Sequence, residues 1–184
     1  ITGFRYEGKA PPKFITYKKI NGDATSHDLV SDFDALHISG HLKTDVIMNG
    51  QPELVVAGDV EENVFIEANG VAEIYVGGDF KGNISSTGSL TLVVKGDFTG
   101  KLIAGFPATS IRVEGDYVGN IGRQSSRGGL LYVYVDGFVS KQAINEMAAH
   151  QFTSLEVRTD NSDLPKGIHH KGSAVIVVRN EQND

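Results

Sequence analysis

Cysteine is absent from all 184 residues. Disulfides, thiolate nucleophiles and cysteine metal sites are therefore excluded together, and the bacterial cytoplasm and a secreted or cell-surface location stay equally open. No apolar run approaches the roughly 18 residues of a membrane-spanning helix, and no charged-then-apolar leader precedes the first residues. The chain begins at Ile1 rather than Met, as expected of a processed product or a piece excised from a longer chain. Positive charge is in deficit. With 17 Lys and Arg against 23 Asp and Glu, the net charge is −6, so a surface that collects phosphates is not expected and nucleic acid is not an expected partner. A Ser-His-Asp order, a P-loop, a dinucleotide fingerprint and a zinc motif are all missing, which leaves no cofactor or metal to expect.

What the chain does have is a repeated phrase. It reads LVVAGDVEENV from Leu54, IYVGGDFKGNI from Ile74, LVVKGDFTGKL from Leu92 and IRVEGDYVGNI from Ile111. Two looser copies precede these, Lys18 to Asp28 and Leu36 to Val46. The residue after the shared glycine is Asp23, His41, Asp59, Asp79, Asp97 and Asp116, at spacings of 18, 18, 20, 18 and 19. Two residues before that glycine stand Ile20, Ile38, Val56, Val76, Val94 and Val113, and two earlier Lys18, Leu36, Leu54, Ile74, Leu92 and Ile111, all on the inward parity. Five residues after the reference position the inward series continues with Asp28, Val46, Val64, Ile84, Leu102 and Ile121.

Alternation at period two signals strands, and its return every 18 to 20 residues signals a solenoid. The expected fold is all-β: a single-stranded parallel β-helix of about six to seven coils, with coils stacked about 4.8 Å apart. Glycines such as Gly78 and Gly82 fall on the inward parity, where a narrow corner lacks room for a side chain or the backbone requires positive φ. The chain reads as one domain. Residues 1–17 form an arm, interrupted by Pro11 and Pro12; residues 18–140 form the coils, ending in a seventh partial copy, Val133 to Lys141, that lacks the Asp; residues 141–184 supply a helix and strands as a cap. The helix is expected from Lys141 to about Gln151, with Ser140 as N-cap and Ala143, Ile144, Met147 and Ala148 at helical spacing. Strands SLEVRT and SAVIVVRN flank a loop from Asp160 to Gly172 and pack alongside the stack or extend it.

Candidate functional residues are few. Arg112, Arg123 and Arg127 would bind a carboxylate, a phosphate or an acidic sugar if they converged near the insert Gly122 to Leu130. The outward column Lys19, His37, Val55, Tyr75, Val93, Arg112 and Tyr134 carries apolar and aromatic members at Val55, Tyr75, Val93 and Tyr134. Either a C-terminal strand covers that column or it is a partner surface. The Asp column reads as turn-forming rather than calcium-binding, because the Gly-Gly-x-Gly-x-Asp spacing of calcium-loaded coils is not kept. A second outward series, His27, Asp45, Asn63, Asn83, Lys101 and Asn120, reads as a ladder of stacked amides. His37 and His41 would stand roughly 13 Å apart along one strand, too far to share a metal unless a corner folds them together. The tandem His169-His170 falls on the expected loop between Lys166 and Lys171, where a proton donor or anion site competes with plain solvation.

The GDF-x-GNI phrase over residues 18–140 resembles the short-coil β-helices of bactofilins and of flagellar assembly protein A-like proteins. A bactofilin-like resemblance implies end-to-end polymerisation into a cytoskeletal scaffold. The reading from residues is a non-enzymatic structural or interaction module of bacterial or phage origin, presenting a rigid face to a protein partner or self-associating. The alternatives are a secreted carbohydrate-binding, adhesin or virulence-associated module, and lastly a carbohydrate-active enzyme built on Arg112, Arg123 and Arg127.

Overall fold

A computed structural model describes residues 17–25, 33–123 and 129–179. The arm at 1–16, His27, Asp28, Arg127 and the C-terminal tail lie outside the described residues. In chain order the elements are β1 (Tyr17–Ile20), β2 (Ala35–Ile38), β3 (Val46–Gly50), β4 (Glu53–Val56), β5 (Phe65–Gly70), β6 (Ala72–Val76), β7 (Asn83–Ser86) and β8 (Leu90–Val94). They continue with β9 (Lys101–Ala104), β10 (Ala108–Val113), β11 (Asn120–Arg123), β12 (Leu130–Val139), α1 (Lys141–Ala149), β13 (Ser154–Ser162), β14 (Gly167–Lys171) and β15 (Ala174–Val178).

The chain winds as a parallel β-solenoid of about 8 turns, more than the six to seven coils that the repeat count implies, because β13 and β15 extend the stack. Each regular coil gives one strand to a ten-stranded sheet, ordered β1-β2-β4-β6-β8-β10-β12-β13-β15-β14, and one to a five-stranded sheet, ordered β11-β9-β7-β5-β3. Because successive strands pair in register, equivalent residues stack into columns. Leu36, Leu54, Ile74, Leu92, Ile111 and Val133 form one inward column, and all are buried. The core lies between the two sheets.

The conserved geometry of the corner explains the phrase letter by letter. Each acid reaches forward to the next coil: Asp59 Oδ1 accepts the Asp79 N–H at 2.8 Å, Asp79 accepts from Asp97 at 2.9 Å, Asp97 from Asp116 at 2.8 Å and Asp116 from Phe138 at 2.8 Å. The ladder starts at Asp23, which accepts the His41 N–H at 2.8 Å; His41 substitutes for Asp by accepting the Asp59 N–H on Nδ1 at 2.8 Å. Charge-assisted bonds to main-chain amides offset the repulsion between stacked carboxylates. The glycine before each acid is what admits the incoming carboxylate. A Cβ on Gly78, Gly96 or Gly115 would overlap Oδ1 of Asp59, Asp79 or Asp97.

The second glycine answers first to the main chain of the coil before it and then, at Gly100 and Gly119, to the aromatic ring. Phe80, Phe98 and Tyr117 stack at 5.4 Å with interplanar angles of 10° and 5°, inside the core column Val60, Phe80, Phe98, Tyr117. A Cβ on Gly100 would overlap the Gly82 carbonyl oxygen and meet Phe80 ring carbons at 2.8 Å, and one on Gly119 would overlap the Gly100 carbonyl oxygen and meet Phe98 ring carbons at 2.5 Å. Positive φ, one of the two expected reasons for these corner glycines, occurs among the described ones only at Gly22 of the first copy (φ 91°); elsewhere it is found at turn glycines such as Gly50 and Gly70.

Register departs from expectation in the 20-residue coil. Its extra residues sit in the turn before β5, so Ile66 rather than Val64 stacks on Val46 and Ile84, and Phe65 rather than Asn63 enters the outward column between Asp45 and Asn83. Val64 is still buried. The expected amide ladder through Asn63, Asn83 and Asn120 does not form. Stacked amides occur two columns away, where Asn69 Nδ2 donates to Asn49 Oδ1 at 3.2 Å.

The cap forms on one sheet only. After β12 the chain makes its usual corner, Tyr117 bridging to Val139, and then enters α1 where a five-stranded-sheet strand would stand. Ala, Met, Gln and Glu favour helix here, the Ser140 hydroxyl accepts the Ala143 N–H at 3.0 Å, and Ile144 and Met147 are buried. The helix thus covers the β11 end of the five-stranded sheet. The broad sheet runs on through β13 and β15 and ends in β14, an antiparallel strand inside what reads from sequence as a loop. His169 and His170 are therefore on an edge strand beside Lys171, the charged-edge arrangement that discourages further pairing.

Candidate interaction surface

On the outer face of the ten-stranded sheet, strand pairing stacks Lys19, His37, Val55, Tyr75, Val93, Arg112 and Tyr134 into the expected column, which Arg158 and Val177 continue. Of the two readings of this column, cover by a C-terminal strand is overturned: β13, β14 and β15 are hydrogen-bonded members of the same sheet, not a layer over it. Their inward alternation (Leu155 and Val157, Ala174 and Ile176) fits the same core the earlier strands share, and so draws them into the plane.

The column divides into two parts. Val55, Tyr75 and Val93, on three adjacent strands, form a half-buried apolar ridge. Glu53 and Glu73 pair alongside it on one flank, and Ala57 and Gly77 leave the other flank low. The Tyr75 hydroxyl donates to Glu73 at 3.3 Å; burial first, then the Glu73 carboxylate, pushes the phenol above its ordinary pKa, so it stays a neutral donor. Tyr134 lies apart, held between two guanidiniums, with Arg112 Cζ 5.0 Å and Arg179 Cζ 5.6 Å from its ring centroid.

The predicted arginine pocket does not assemble from the two members that are described. Arg112 points from β10 on the broad sheet, where Nη2 pairs with Asp136 at 3.2 Å, and that hydrogen bond is the main cause of its raised pKa. Arg123 belongs to β11 on the other sheet, and its Nη1 donates at 2.8 Å to the Gln151 carbonyl just past the end of α1. A cation there complements the negative end of the helix, a structural use. The two candidates thus serve separate partners on separate sheets.

The histidines also part company. His37 Nε2 lies 2.7 Å from Glu53, with Tyr17 stacked edge-on against its ring. His41, Asp59 and Glu61 bring ligand-type atoms within 4.8 Å of one another. Two atoms of this trio serve the ladder, His41 Nδ1 and Asp59 Oδ1 each accepting a main-chain amide, and Lys81 Nζ stands 3.6 Å from Asp59 Oδ2.

Two concave regions escaped the sequence reading. One lies under α1, about 340 Å³, where the Tyr117 hydroxyl is buried without a partner and burial, with Glu146 adding to it, raises the phenol pKa. The other, about 380 Å³, opens on the outer face of the broad sheet across β8, β10, β12 and β13. It exists because the short outward side chains of Thr91 and Ser110 sit in a row with the taller Tyr132 and Glu156. Only the repeat register, extended to β13, would have exposed that row.

Comparison of the chain with protein-family models, with curated proteins and with solved structures returns no match.

Proposed function

We propose that the protein is a non-enzymatic interaction module, in which the solenoid holds the outer face of the ten-stranded sheet flat and in register for a protein partner. The observation that carries this reading is the ridge Val55, Tyr75, Val93, which no described segment covers, flanked by Glu53 and Glu73. Aromatic and β-branched side chains on a rigid backbone lose little entropy on binding, and the acidic flank suits a partner offering Lys or Arg beside an apolar strip. Self-assembly, the behaviour a bactofilin-like likeness implies, is the competing form of the same idea. It would use the strand edges rather than the ridge.

The test compares three forms of the chain: wild type, Val55→Asp with Tyr75→Arg on the ridge, and Ile47→Asp with Ile103→Asp on the opposite sheet. Each of these residues is at least partly exposed, so neither double variant disturbs the core. The expected result is a partner captured equally by wild type and the Ile47/Ile103 variant and lost with the ridge variant. Equal capture by all three would overturn the reading. A molar mass by light scattering that grows with concentration and is unaffected by the ridge variant would favour edge-mediated self-assembly instead.

A further inference from the structure

We propose that His41 makes the corner between the second and third coils pH-sensitive: its neutral imidazole closes one rung of the carboxylate ladder, and its protonated form opens that rung. The device is separate from the ridge. It follows from which atom donates. The Asp59 main-chain N–H can only donate, and its acceptor is His41 Nδ1 at 2.8 Å. Nδ1 therefore carries the lone pair, and the single proton of the neutral ring is on Nε2. While the rung is made, neither nitrogen is open to a metal ion. A second proton has only Nδ1 to occupy, and two N–H groups cannot bond each other. The other described rungs rest on the carboxylates of Asp23, Asp59, Asp79, Asp97 and Asp116. Carboxyl groups ordinarily titrate well below imidazoles, so acidification reaches the His41 rung first.

The imidazolium also has somewhere to go. Asp59 Oδ2 lies 3.7 Å from Nδ1, and Glu61 brings a second carboxylate into the same group of atoms. Nearby cations are already paired, Lys43 with Asp23 at 2.6 Å and Lys81 with Asp59 at 3.6 Å. The side chain is 43% exposed, so the ring can turn toward these carboxylates without disturbing the core. Turning empties the slot that Gly58 leaves for it, where a Cβ would stand 2.7 Å from Nδ1, and strands the Asp59 amide. Main-chain bonds at the same corner remain, Leu42 N–H to the Asp59 carbonyl at 2.8 Å and Gly58 N–H to that of Gly40 at 2.9 Å. The corner loosens rather than parts. His37, four residues earlier, shows the contrast: its Nδ1 lies 3.2 Å from the Tyr17 hydroxyl and its Nε2 2.7 Å from Glu53. A hydroxyl both donates and accepts, so protonation of His37 leaves both contacts satisfied, whereas a main-chain amide allows no such reversal.

The experiment measures amide exchange of the full chain residue by residue by NMR at about pH 5 and about pH 8, the two ends of the range in which imidazoles ordinarily titrate. Each rate is divided by the unfolded-chain rate at the same pH, and the Asp97 N–H, bonded to Asp79 at 2.9 Å, is the internal reference. Protection of the Asp59 N–H relative to that of Asp97 should fall about tenfold at the lower pH, the loss of one good hydrogen bond. His41→Asp, which restores the residue of the regular copies, should abolish the fall, and His37→Gln should retain it. Ring nitrogen shifts at the higher pH should place the His41 proton on Nε2. The proposal is overturned if that proton is on Nδ1, if the relative protection of Asp59 is the same at both pH values, or if the fall survives His41→Asp or disappears with His37→Gln.

Discussion

If Gly78 is glycine because the Asp59 carboxylate occupies the space a side chain would take, the two positions must be energetically coupled, and a double-mutant cycle measures the coupling. Asp59→Ala removes a 2.8 Å charge-assisted bond to the Asp79 N–H from a side chain that is 26% exposed. Partial exposure puts the cost at the low end of the range for such bonds, about 1.5–2 kcal/mol. The Lys81 contact at 3.6 Å adds little at a solvated position. Gly78→Ala places a methyl on top of Asp59 Oδ1, while the nearest backbone atoms, C and O of Gly58, are at 3.0 Å, tight but tolerable. The carboxylate must then swing away and orphan the same amide, a cost of about 2–3 kcal/mol. In the double variant that bond is lost only once. The expected total is about 2.5 kcal/mol rather than a sum near 4, a coupling of about 1.5 kcal/mol. In a chain of this size the shortfall is worth about 3–6 °C in melting temperature, measurable by calorimetry alongside urea unfolding. Strict additivity would refute the account and would mean that the glycine answers to backbone packing alone.

The aromatic ladder and the start of the carboxylate ladder give two further tests. Phe98 is fully buried with a ring stacked on either side, so Phe98→Ala should cost about 3–5 kcal/mol, and a loss below about 1 kcal/mol in urea unfolding would show that the stack collapses to fill the gap. The Asp23 carboxyl has its pKa lowered from 3.8, first by the His41 N–H and then by Lys43. A folded pKa below the unfolded one means stability that is present above about pH 4 and lost as pH falls through the lowered value. Wild type should therefore exceed Asp23→Asn in urea midpoint at pH 6, and the difference should vanish as pH falls below the ordinary carboxylate range; a gap that persists there would remove the charge from the explanation.

The solenoid was legible because the core is a set of columns, and a column leaves a periodic mark on a linear chain. Ile74, Leu92 and Ile111 announce themselves at 18- and 19-residue spacing. The failures have the same origin. Period counting assumes that an insertion is spread evenly, whereas the two extra residues of the third coil are confined to the turn before β5, which moves Ile66 into the place assigned to Val64. β14 was hidden because Gly-Ile-His-His-Lys is an exposed edge with no inward face to alternate against. The lack of room at Gly78 was legible, but what fills it, a carboxylate from 19 residues earlier, is not local and left no mark beside the glycine. The arginine pocket failed for a related reason. Arg112 and Arg123 are close in sequence but a corner separates them onto different sheets, and proximity in a solenoid runs across coils rather than along the chain.

If register across coils is what specifies the fold, then removing a whole coil should be tolerated far better than removing nearly a whole coil. Deleting residues 76–93 joins Tyr75 to Val94. Ile74 then remains inward, Val94 takes the inward place of Val76, and Lys95 remains outward. Asp97 is left 20 residues after Asp59, the native length of that coil, with β6 set against β10 in the register β8 now uses. Asp59 would accept the Asp97 N–H, and the Phe98 ring would overlie the Val60 column. The cost is one set of nearest-neighbour contacts, as in other repeat proteins, so the shortened chain should fold with a lower melting temperature. Deleting residues 76–92 instead retains a single additional residue, Val93, which takes the inward place of Val76 and turns Lys95 toward the core. A one-residue slip inverts the faces of everything that follows in the strand, and a buried lysine has no partner there. Circular dichroism and amide NMR dispersion should show the first chain folded and the second not, despite its greater length. If both fold alike, the register argument fails, and with it the reading of the columns on which the ridge depends.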